Sequence, residues 1–528
     1  MFDVVITGGQ VVDGTGAPAR RADVGIEGDK ISAIGDLSSA SARRAIDATG
    51  KVVSPGFIDT HVHSDGVLLG EPQHACGLMQ GVTTEILGQD GLSYAPLSPN
   101  NLVAYRWYLK GLNGDSDVPW DWSSVAEFRA RFSGTVAINT AYLIPHGAIR
   151  LETVGWRDVP LSPDEIKKAQ LLIAQSMEEG AVGFSTGLSY YPCTWSTMQE
   201  ITEFCKALVP YDGVYVTHLR SAYPERGHPK GGIHEALEIS RMSGARLHYS
   251  HFRTGPHNAG KVEELMAPID AAVKEGQPIT LELYPYPAGS GYVIYCLPGW
   301  ANEGGPNEML ARLADPATRK RLVEEMTEQN QGTWDDYCLT YLPSEKNQHL
   351  EGMSFADAAR LRGASIAETL CQLLLEENLV VGFRTSPPVS VRVWDQVNRD
   401  GMELLARPYY MVGSDAIHVG SMPHPRAYGC FARFLGRFRR KYGGLSLEAM
   451  INRMAAVPAD TFRLKGRGYL KPGYFADVVV FDPNTLIDTA TFEDPRSLAQ
   501  GVSQVLVNGT LAVDEGKVTG EMAGRAIP

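Results

Sequence analysis

Two histidines separated by one residue, His61 and His63, follow an apolar stretch near the start of the chain. In an extended segment alternate side chains point the same way, so both imidazoles can face one site. Paired neutral imidazoles are a natural beginning for a divalent-metal site. Similar residues end later apolar runs: His218 in VYVTH, His251 in LHYSH and Asp415 in YYMVGSD. Together they predict a metal-dependent hydrolase with an aspartate that transfers protons.

The elements that must position these residues are short strands that alternate with helical stretches from Gly56 to about Pro458. The candidate strands are GFIDTHVH, VTTEILGQ, TVAINTAYLI, AVGFSTGL, GVYVTHLR, ARLHYSHF, PITLELYPY and PYYMVGSD. Repeated β-then-α units predict an α/β fold, a TIM-type (β/α)8 barrel, whose reactive residues lie at the C-terminal ends of the strands. His248 competes with His251 as a ligand. Strand alternation places these two on opposite sides, and we predict His251, beside the loop.

The two chain ends differ from the middle. Residues 1–55 and 466–528 consist of short β-branched runs ended by Gly, Asp or Pro, which is typical of β-strands and turns. We predict one small β-sandwich built from both ends, with the barrel, residues 56–465, inserted between them. Within the barrel, the stretch of about 288–350 is rich in Gly, Pro and aromatic residues. It interrupts the alternation, which predicts a lid over the barrel mouth.

Composition and charge exclude several classes of partner. The formal net charge of the 528 residues is −13, which argues against nucleic acid because phosphate binding relies on clustered Lys and Arg. No apolar run approaches the roughly 20 residues of a membrane helix, and the N-terminus lacks a secretory-signal pattern. Seven scattered cysteines without a C-x-x-C pair are expected of a reduced, cytoplasmic protein. We therefore expect a small-molecule substrate and no membrane; the sequence is compatible with a homo-oligomer.

Eight segments carry a resemblance to a known family. In chain order they are SPGFIDTHVHSD, GVTTEILGQDG, GAVGFSTGLSYYP, THLRS, YSHFR, LYPYPAGSG, VGSD and HPRAYG. Together they resemble the D-aminoacylase (N-acyl-D-amino-acid deacylase) branch of the amidohydrolase superfamily, over nearly the whole chain. The H-x-H pair alone would indicate only the superfamily. The resemblance implies a zinc-dependent hydrolase that cleaves the amide bond of N-acyl-D-amino acids.

The resemblance also implies roles for the metal-binding and catalytic residues. His61 and His63 match the family's first metal pair. His218 and His251 match the histidines that hold its tightly bound zinc. Asp415 matches the catalytic aspartate.

Further residues match the family's substrate contacts. Arg253 stands where the family has a lysine that contacts the substrate carboxylate, and Arg426 in HPRAYG matches an arginine with the same task. Arginine offers a planar, bidentate fork that suits a carboxylate. A tyrosine of LYPYPAGSG is expected beside them, Tyr284 in preference to Tyr286. Ser290, at the end of the same stretch, is a further candidate.

One position departs from the family pattern. The family has a cysteine ligand in a G-N-C-G segment, whereas this chain reads GQDG and places Asp90 there. Aspartate binds zinc through oxygen. Because it is a harder ligand than thiolate, manganese and cobalt become alternatives to zinc, with one or two ions bound. Glu85, on the same strand, is the alternative ligand.

The expected chemistry is hydrolysis by activated water. A divalent metal lowers the pKa of water from about 15.7 to about 7. Asp415 would take the proton from this water during attack on the amide carbonyl and pass it to the leaving amine. His146, in IPHGAIR at another strand end, either assists the oxyanion or is structural, and the sequence leaves both roles open.

Three alternative functions differ in what they require. A hydantoinase-like cyclic amidohydrolase would need a carboxylated lysine on the fourth strand, and GAVGFSTGL contains none. A dipeptidase for D- or isoaspartyl residues would differ only in its pocket. A non-catalytic barrel scaffold would be expected to lose ligands that this chain keeps.

The substrate's side chain is predicted from the lid. The segment Gly291–Trp300, GYVIYCLPGW, contains no Lys or Arg that would bind an acidic side chain. We therefore predict N-acyl-D-amino acids with neutral, mainly hydrophobic side chains such as leucine, methionine or phenylalanine.

Overall fold

The structure, a computed structural model, describes residues 1–528 and confirms the predicted barrel of eight parallel strands. Consecutive strands pair in chain order, and we number them barrel strands 1 to 8. They are Phe57–Asp59, Val82–Leu87, Asn139–Pro145, Gly183–Gly187, Val214–His218, Arg246–Tyr249, Ile279–Leu283 and Tyr410–Val412. Beyond the last strand, the amide of Asp415 donates to the carbonyl of His61 over 2.8 Å and brings strand 8 against strand 1. The predicted site segments are thus neighbours at one end of the barrel.

Helices follow most of the barrel strands. The α-helices of six or more residues are Pro99–Asn113, Val125–Ala130, His146–Thr153, Pro163–Glu178, Met198–Lys206, Gly232–Ser243, Val262–Lys274, Pro306–Ala314, Pro316–Asn330, Phe355–Arg362, Ile366–Glu376, Val391–Leu405, Arg426–Ala432, Leu447–Met454 and Ala456–Thr461, and a π-helix, Arg433–Phe438, follows Ala432. The helix that begins at Pro163 starts with a capping box between Ser162 and Glu165. None of the helices combines the length and apolar composition that crossing a bilayer requires.

Side chains of the barrel strands alternate between the barrel interior and the helical layer. Ile58, Ile86, Val216 and Met411 form part of a compact apolar cluster inside the barrel. Their chain neighbours, such as Leu87, belong to the larger core under the helices. Because successive side chains of a strand point to opposite faces, the parity of a residue tells on which side of the barrel wall it lies.

The chain ends form two sheets beside the barrel; the first is built from N-terminal residues alone, and the second combines strands from both ends, as predicted. The first sheet contains, in spatial order, Lys30–Gly35, Asp23–Glu27, Phe2–Thr7 and Ala42–Asp47. The second contains Lys517–Val518, Thr510–Asp514, Val502–Val507, Val478–Phe481, Val52–Pro55, Gln10–Val11 and Arg20–Arg21. Strand Val478–Phe481 from the C-terminal part pairs with Val52–Pro55 from the N-terminal part. An apolar cluster that includes Ile6, Ile26 and Val480 joins residues of both sheets.

The chain between barrel strands 7 and 8 forms a separate insertion. Its strands Ser290–Tyr292 and Cys338–Tyr341 pair on either side of Gly382–Arg384 in a small antiparallel sheet. The central strand of this sheet, Gly382–Arg384, comes last in the chain. The insertion therefore extends to Arg384, beyond the range of about 288–350 predicted for the lid.

Candidate active site

The carboxylate of Asp90 lies at the centre of the four predicted histidines. Its Oδ1 lies 3.6 Å from the Nε2 of His61. Its Oδ2 lies 3.7 Å from His63 Nε2, 3.5 Å from His218 Nδ1 and 3.9 Å from His251 Nε2. Because one carboxylate faces all four imidazoles, Asp90 occupies the position of a ligand that can bridge two cations.

Asp415 completes this cluster from the end of barrel strand 8. Its Oδ1 lies 3.4 Å from His63 Nε2 and 3.7 Å from His61 Nε2, while its Oδ2 lies 2.8 Å from Nη1 of Arg426. Burial favours the neutral acid, but the guanidinium of Arg426 and the nearby imidazoles hold the pKa of Asp415 well below its usual range. The side chain is therefore ionised and able to accept a proton.

The residues present fit a divalent cation. The Nε2 of His61 and the Oδ1 of Asp90 are buried without a hydrogen-bond partner. Ligand atoms of His61, His63 and Asp415 lie within 4.8 Å of one another, as do those of His61, Asp90 and His251. Imidazole nitrogen with carboxylate oxygen is a donor set that zinc, manganese and cobalt accept. The cluster can thus hold one or two such ions.

Three of these residues have backbone conformations that L-amino acids rarely adopt. The φ angle is +55° at Asp90, +36° at His251 and +53° at Asp415. Strained conformations of this kind cost about 1–3 kcal/mol each and cluster at functional sites. Before Asp90, Gly88 has φ +82°, and a Cβ there would lie 2.1 Å from the carbonyl oxygen of Leu143. The surrounding structure therefore imposes the backbone that aims these side chains at one another.

Sequence analysis missed Glu282, an inward-facing residue of barrel strand 7. Its Oε1 lies 2.5 Å from Nδ1 of His61, and its Oε2 accepts a hydrogen bond from Thr60 Oγ1 over 2.5 Å. A carboxylate bound to one imidazole nitrogen fixes the tautomer and leaves the other nitrogen for a metal. The sequence signal that could have identified Glu282 is its place between two leucines in LEL. In a strand, its side chain points into the barrel when those of the leucines point outward.

His251 joins the cluster and His248 does not, but strand alternation is not the reason. His248 Nε2 lies 3.2 Å from Glu282 Oε2, and the amide of His251 donates to the Oε1 of the same carboxylate over 3.3 Å. Barrel strand 6 ends at Tyr249, and the positive φ of His251 turns its side chain toward the cluster. Alternation does not extend past the end of a strand.

We predict that Glu282→Gln weakens metal binding without unfolding the protein. The amide keeps the size of the carboxylate but loses its charge, so it supports the imidazole of His61 less well. Loss of such a supporting contact typically lowers metal affinity about 10- to 100-fold. Titration of the metal-free variant with zinc against a competing chelator measures this effect. An affinity equal to that of the parent would contradict the positioning role.

Two arginines flank the ring of Tyr284, beside the metal-binding cluster. The guanidinium carbons of Arg253 and Arg426 lie 4.4 and 4.6 Å from its ring centroid. Nη2 of Arg253 donates to the Tyr284 hydroxyl over 2.8 Å. Arg426 is fully buried, and Asp415 is its only close anion. The two side chains form an ion pair, but the geometry does not make a hydrogen bond. The guanidinium nitrogens of Arg426 thus make no hydrogen bond within the protein.

The structure favours Tyr284 over Tyr286. The ring of Tyr286 lies 4.5 Å from the guanidinium carbon of Arg433 and packs against His424, in a cavity of about 460 Å³ away from the metal-binding cluster. Tyr284 and Tyr286 are two positions apart, and in a strand their side chains would point the same way. Both follow Leu283, the last residue of barrel strand 7, so this rule does not apply to them.

Two further predicted residues make their hydrogen bonds away from the metal-binding cluster. Ser290 donates its hydroxyl to the carbonyl oxygen of Phe383 over 2.8 Å within the sheet of the insertion. The Nε2 of His146 lies 3.1 Å from Ser196 Oγ, and its ring packs against Phe184. Burial lowers the pKa of His146 well below its usual range. His146 therefore packs in the protein core. This position favours the structural role over the catalytic role.

Tyr190 is a second residue that sequence analysis missed. Its ring lies 4.8 Å from that of His218 and 5.8 Å from that of Tyr295. Burial and the charges of Asp90 and Asp415 raise its pKa well above the usual range, so it keeps its proton. The only signal was an aromatic pair directly after barrel strand 4, in GLSYYP.

The predicted lid segment contributes less to the pocket than its composition suggests. Val293, Ile294, Cys296 and Leu297 are buried in the apolar core and cannot line an open cavity. Tyr295 is the exception, 36% exposed and in contact with Tyr190. One aromatic side chain, rather than the whole segment, reaches the mouth of the site.

Comparison with known proteins shows which sequences this chain is similar to. The profile of the amidohydrolase family matches residues 44–241 and 398–513. A D-aminoacylase from Alcaligenes xylosoxydans xylosoxydans is 33% identical over 100% of this chain and 97% of its own length. An N-acyl-D-glutamate deacylase of the same organism is 34% identical over 96% of this chain and 93% of its own.

A solved structure is similar over the whole fold. The N-acyl-D-glutamate deacylase from Bordetella bronchiseptica, in complex with zinc and a phosphonate that mimics the tetrahedral intermediate, superposes with a TM-score of 0.82. It is 30% identical, and the match covers 100% of this chain and 99% of that one.

Proposed function

The chain belongs to the amidohydrolase family and hydrolyses amide bonds, and we propose that its substrates are N-acyl-D-amino acids with neutral, mainly hydrophobic side chains. The observation that carries this proposal is the position of two arginines and a tyrosine directly beside a metal-binding cluster. The cluster of Asp90, four histidines and Asp415 suits amide hydrolysis, and Arg253 and Arg426 suit a carboxylate next to the scissile bond.

We infer that zinc occupies the cluster, with manganese and cobalt as alternatives because Asp90 supplies a hard oxygen ligand. His61, His63, Asp90, His218 and His251 would hold it. A bound divalent cation supplies Lewis acidity, which acidifies water and polarises the amide carbonyl. The relatives' zinc complex supports this choice.

The chain's own residues then move the proton. Ionised Asp415 accepts a proton from the attacking water at its Oδ1, which faces His63 and His61. Arg426 keeps that carboxylate charged until the transfer. Protonated Asp415 next delivers the proton to the departing nitrogen, which leaves as the free amine. The protonated Tyr190, whose ring lies 4.8 Å from that of His218, is our candidate donor of a hydrogen bond to the developing oxyanion.

The preference for neutral side chains rests on the aromatic wall formed by Tyr190 and Tyr295. The identities of 33% to a D-aminoacylase and 34% to an N-acyl-D-glutamate deacylase are nearly equal and do not decide the side chain of the substrate. Residues 291–300 of the insertion contain no Lys or Arg that would pair with a second carboxylate.

A substrate screen tests the proposal. We expect N-acetyl-D-leucine, D-methionine and D-phenylalanine to be hydrolysed with higher kcat/KM than N-acetyl-D-glutamate or D-aspartate, and L-isomers to be poor. The zinc-, manganese- and cobalt-loaded proteins are compared by release of free amine. A clear preference for acidic side chains or for L-isomers would overturn the proposed specificity.

We predict that Arg253→Met raises KM about tenfold or more, with metal content unchanged. A charge-assisted hydrogen bond contributes roughly 1.5–3 kcal/mol, and each 1.4 kcal/mol is a factor of ten. Steady-state kinetics with the best D-substrate measure this. Arg253→Lys, which keeps the charge, is the matched control and should retain most of the affinity. An unchanged KM in Arg253→Met would exclude Arg253 from carboxylate binding.

Localisation in the cytoplasm is also our inference. All seven cysteines are unpaired, which suits a reducing compartment.

A further inference from the structure

A second group of metal-ligand side chains, His74, Cys76 and His418, lies apart from the active site; we call it the thiol–imidazole cluster. The Sγ of Cys76 lies 3.9 Å from Nδ1 of His74 and 3.7 Å from Nδ1 of His418. The ligand atoms of all three lie within 4.8 Å of one another, and all three residues are buried. Two imidazoles thus direct the same ring nitrogen at one sulfur.

These separations are close to those of a tetrahedral zinc site. With Zn–S of about 2.3 Å and Zn–N of about 2.0–2.1 Å, a tetrahedral angle separates sulfur and nitrogen by about 3.6 Å. The observed distances of 3.7 and 3.9 Å exceed this by a few tenths of an ångström. Small rotations of the rings would therefore be sufficient to accommodate a cation.

The other nitrogen of His74 faces a carboxylate. His74 Nε2 lies 2.6 Å from Oε1 of Glu85, whose Oε2 accepts a hydrogen bond from Ser64 Oγ over 2.6 Å. Metal-binding histidines almost always have such a partner, which orients the ring and makes it a better ligand. Glu85 shares its parity with Leu87, so it points out of the barrel and away from Asp90.

A further observation concerns the space beside the thiol–imidazole cluster. The Nδ1 of His418 faces the sulfur, and its Nε2, on the other side of the ring, is buried without a hydrogen-bond partner. His74, Cys76 and His418 also line a cavity of about 590 Å³ together with Arg496, which leaves space for water as a fourth ligand.

We propose that Cys76, His74 and His418 bind one zinc-class divalent cation that is separate from the catalytic centre. This cation would join two parts of the chain: the loop after barrel strand 1, which contains His74 and Cys76, and the segment after barrel strand 8. His418 follows the catalytic Asp415 by three residues. The bound cation therefore stabilises the closure of the barrel next to the catalytic residues.

Cobalt absorption tests the proposal in the full-length protein. A thiolate bound to Co²⁺ gives a charge-transfer absorption in the near ultraviolet, and the catalytic cluster contains no thiol because Asp90 replaces cysteine. We expect the cobalt-loaded parent to show this absorption. Cys76→Ser and His418→Ala should each abolish it, and Cys76→Ser should lower bound cobalt by one equivalent.

Two control variants separate this site from other metal binding. Cys338→Ser removes the one cysteine that is not buried and should leave the absorption unchanged. Asp90→Ala, which alters the catalytic cluster, should also retain it. No thiolate absorption at saturating Co²⁺, or its persistence in Cys76→Ser, would overturn the proposal.

Alkylation of the parent protein provides a test that does not depend on folding of the variants. Iodoacetamide labelling of Cys76, mapped by mass spectrometry, is compared with and without Zn²⁺. We expect zinc to protect Cys76 and to leave labelling of Cys338 unchanged. Equal labelling of Cys76 in both conditions would overturn the proposal, and rapid labelling in both would indicate instead a reactive thiol activated by His74 and Glu85.

Discussion

Asp415→Asn is expected to lower kcat by about 10²- to 10⁴-fold, the usual contribution of general acid–base catalysis. The substitution keeps the size of the side chain but removes the proton acceptor that faces His63 and His61. Metal content should remain, since four imidazoles and Asp90 still surround the site. Steady-state kinetics and metal analysis of the same preparations measure both quantities.

The structure adds a second expected effect of this substitution. Arg426 loses its only close anion, because Nη1 lies 2.8 Å from Asp415 Oδ2. KM for a carboxylate substrate should therefore rise little or even fall while kcat falls. Asp395→Asn, the same chemical change at a carboxylate paired with Lys441, is the matched control and should retain parental kinetics. Near-normal turnover of Asp415→Asn would refute its catalytic assignment.

Asp90→Ala is expected to remove most of the bound metal. Asp90 is the one side chain that faces all four histidines. Its loss should therefore lower metal affinity by more than the about 10- to 100-fold that follows removal of a supporting contact. Activity should fall with the metal. Metal analysis after dialysis, with thermal unfolding of the metal-free proteins for comparison, separates loss of metal from loss of fold.

Asp90→Cys is the informative control for this prediction. It restores the ligand that the resembling family has at this position and should retain zinc, with less manganese than the parent, because thiolate is the softer ligand. Glu85, the alternative ligand suggested by the sequence, is bound to His74 and Ser64 and cannot replace Asp90. Parental metal content in Asp90→Ala would show that Asp90 is not a ligand.

Residue order along the chain was sufficient to predict the barrel and most of the metal-binding cluster. The local patterns include the eight strands, the paired His61 and His63, His218 at the end of barrel strand 5, and Asp415 three residues past barrel strand 8. A strand's side-chain direction depends on its immediate neighbours, and parallel strands bring their C-terminal ends to one edge. The same rule brings the segment of Asp90 to that edge, but Asp90 lies three residues past the end of barrel strand 2, and its positive φ directs its side chain.

Contacts between distant parts of the chain were decided only by the tertiary structure. Glu282 binds His61 across 221 positions, and His418 approaches Cys76 across 342. Tyr284 and His251 lie past the ends of their strands, where alternation no longer predicts direction. The physical reason is that local periodicity determines which elements form and which way they face, whereas the partner of a buried polar group depends on how those elements pack.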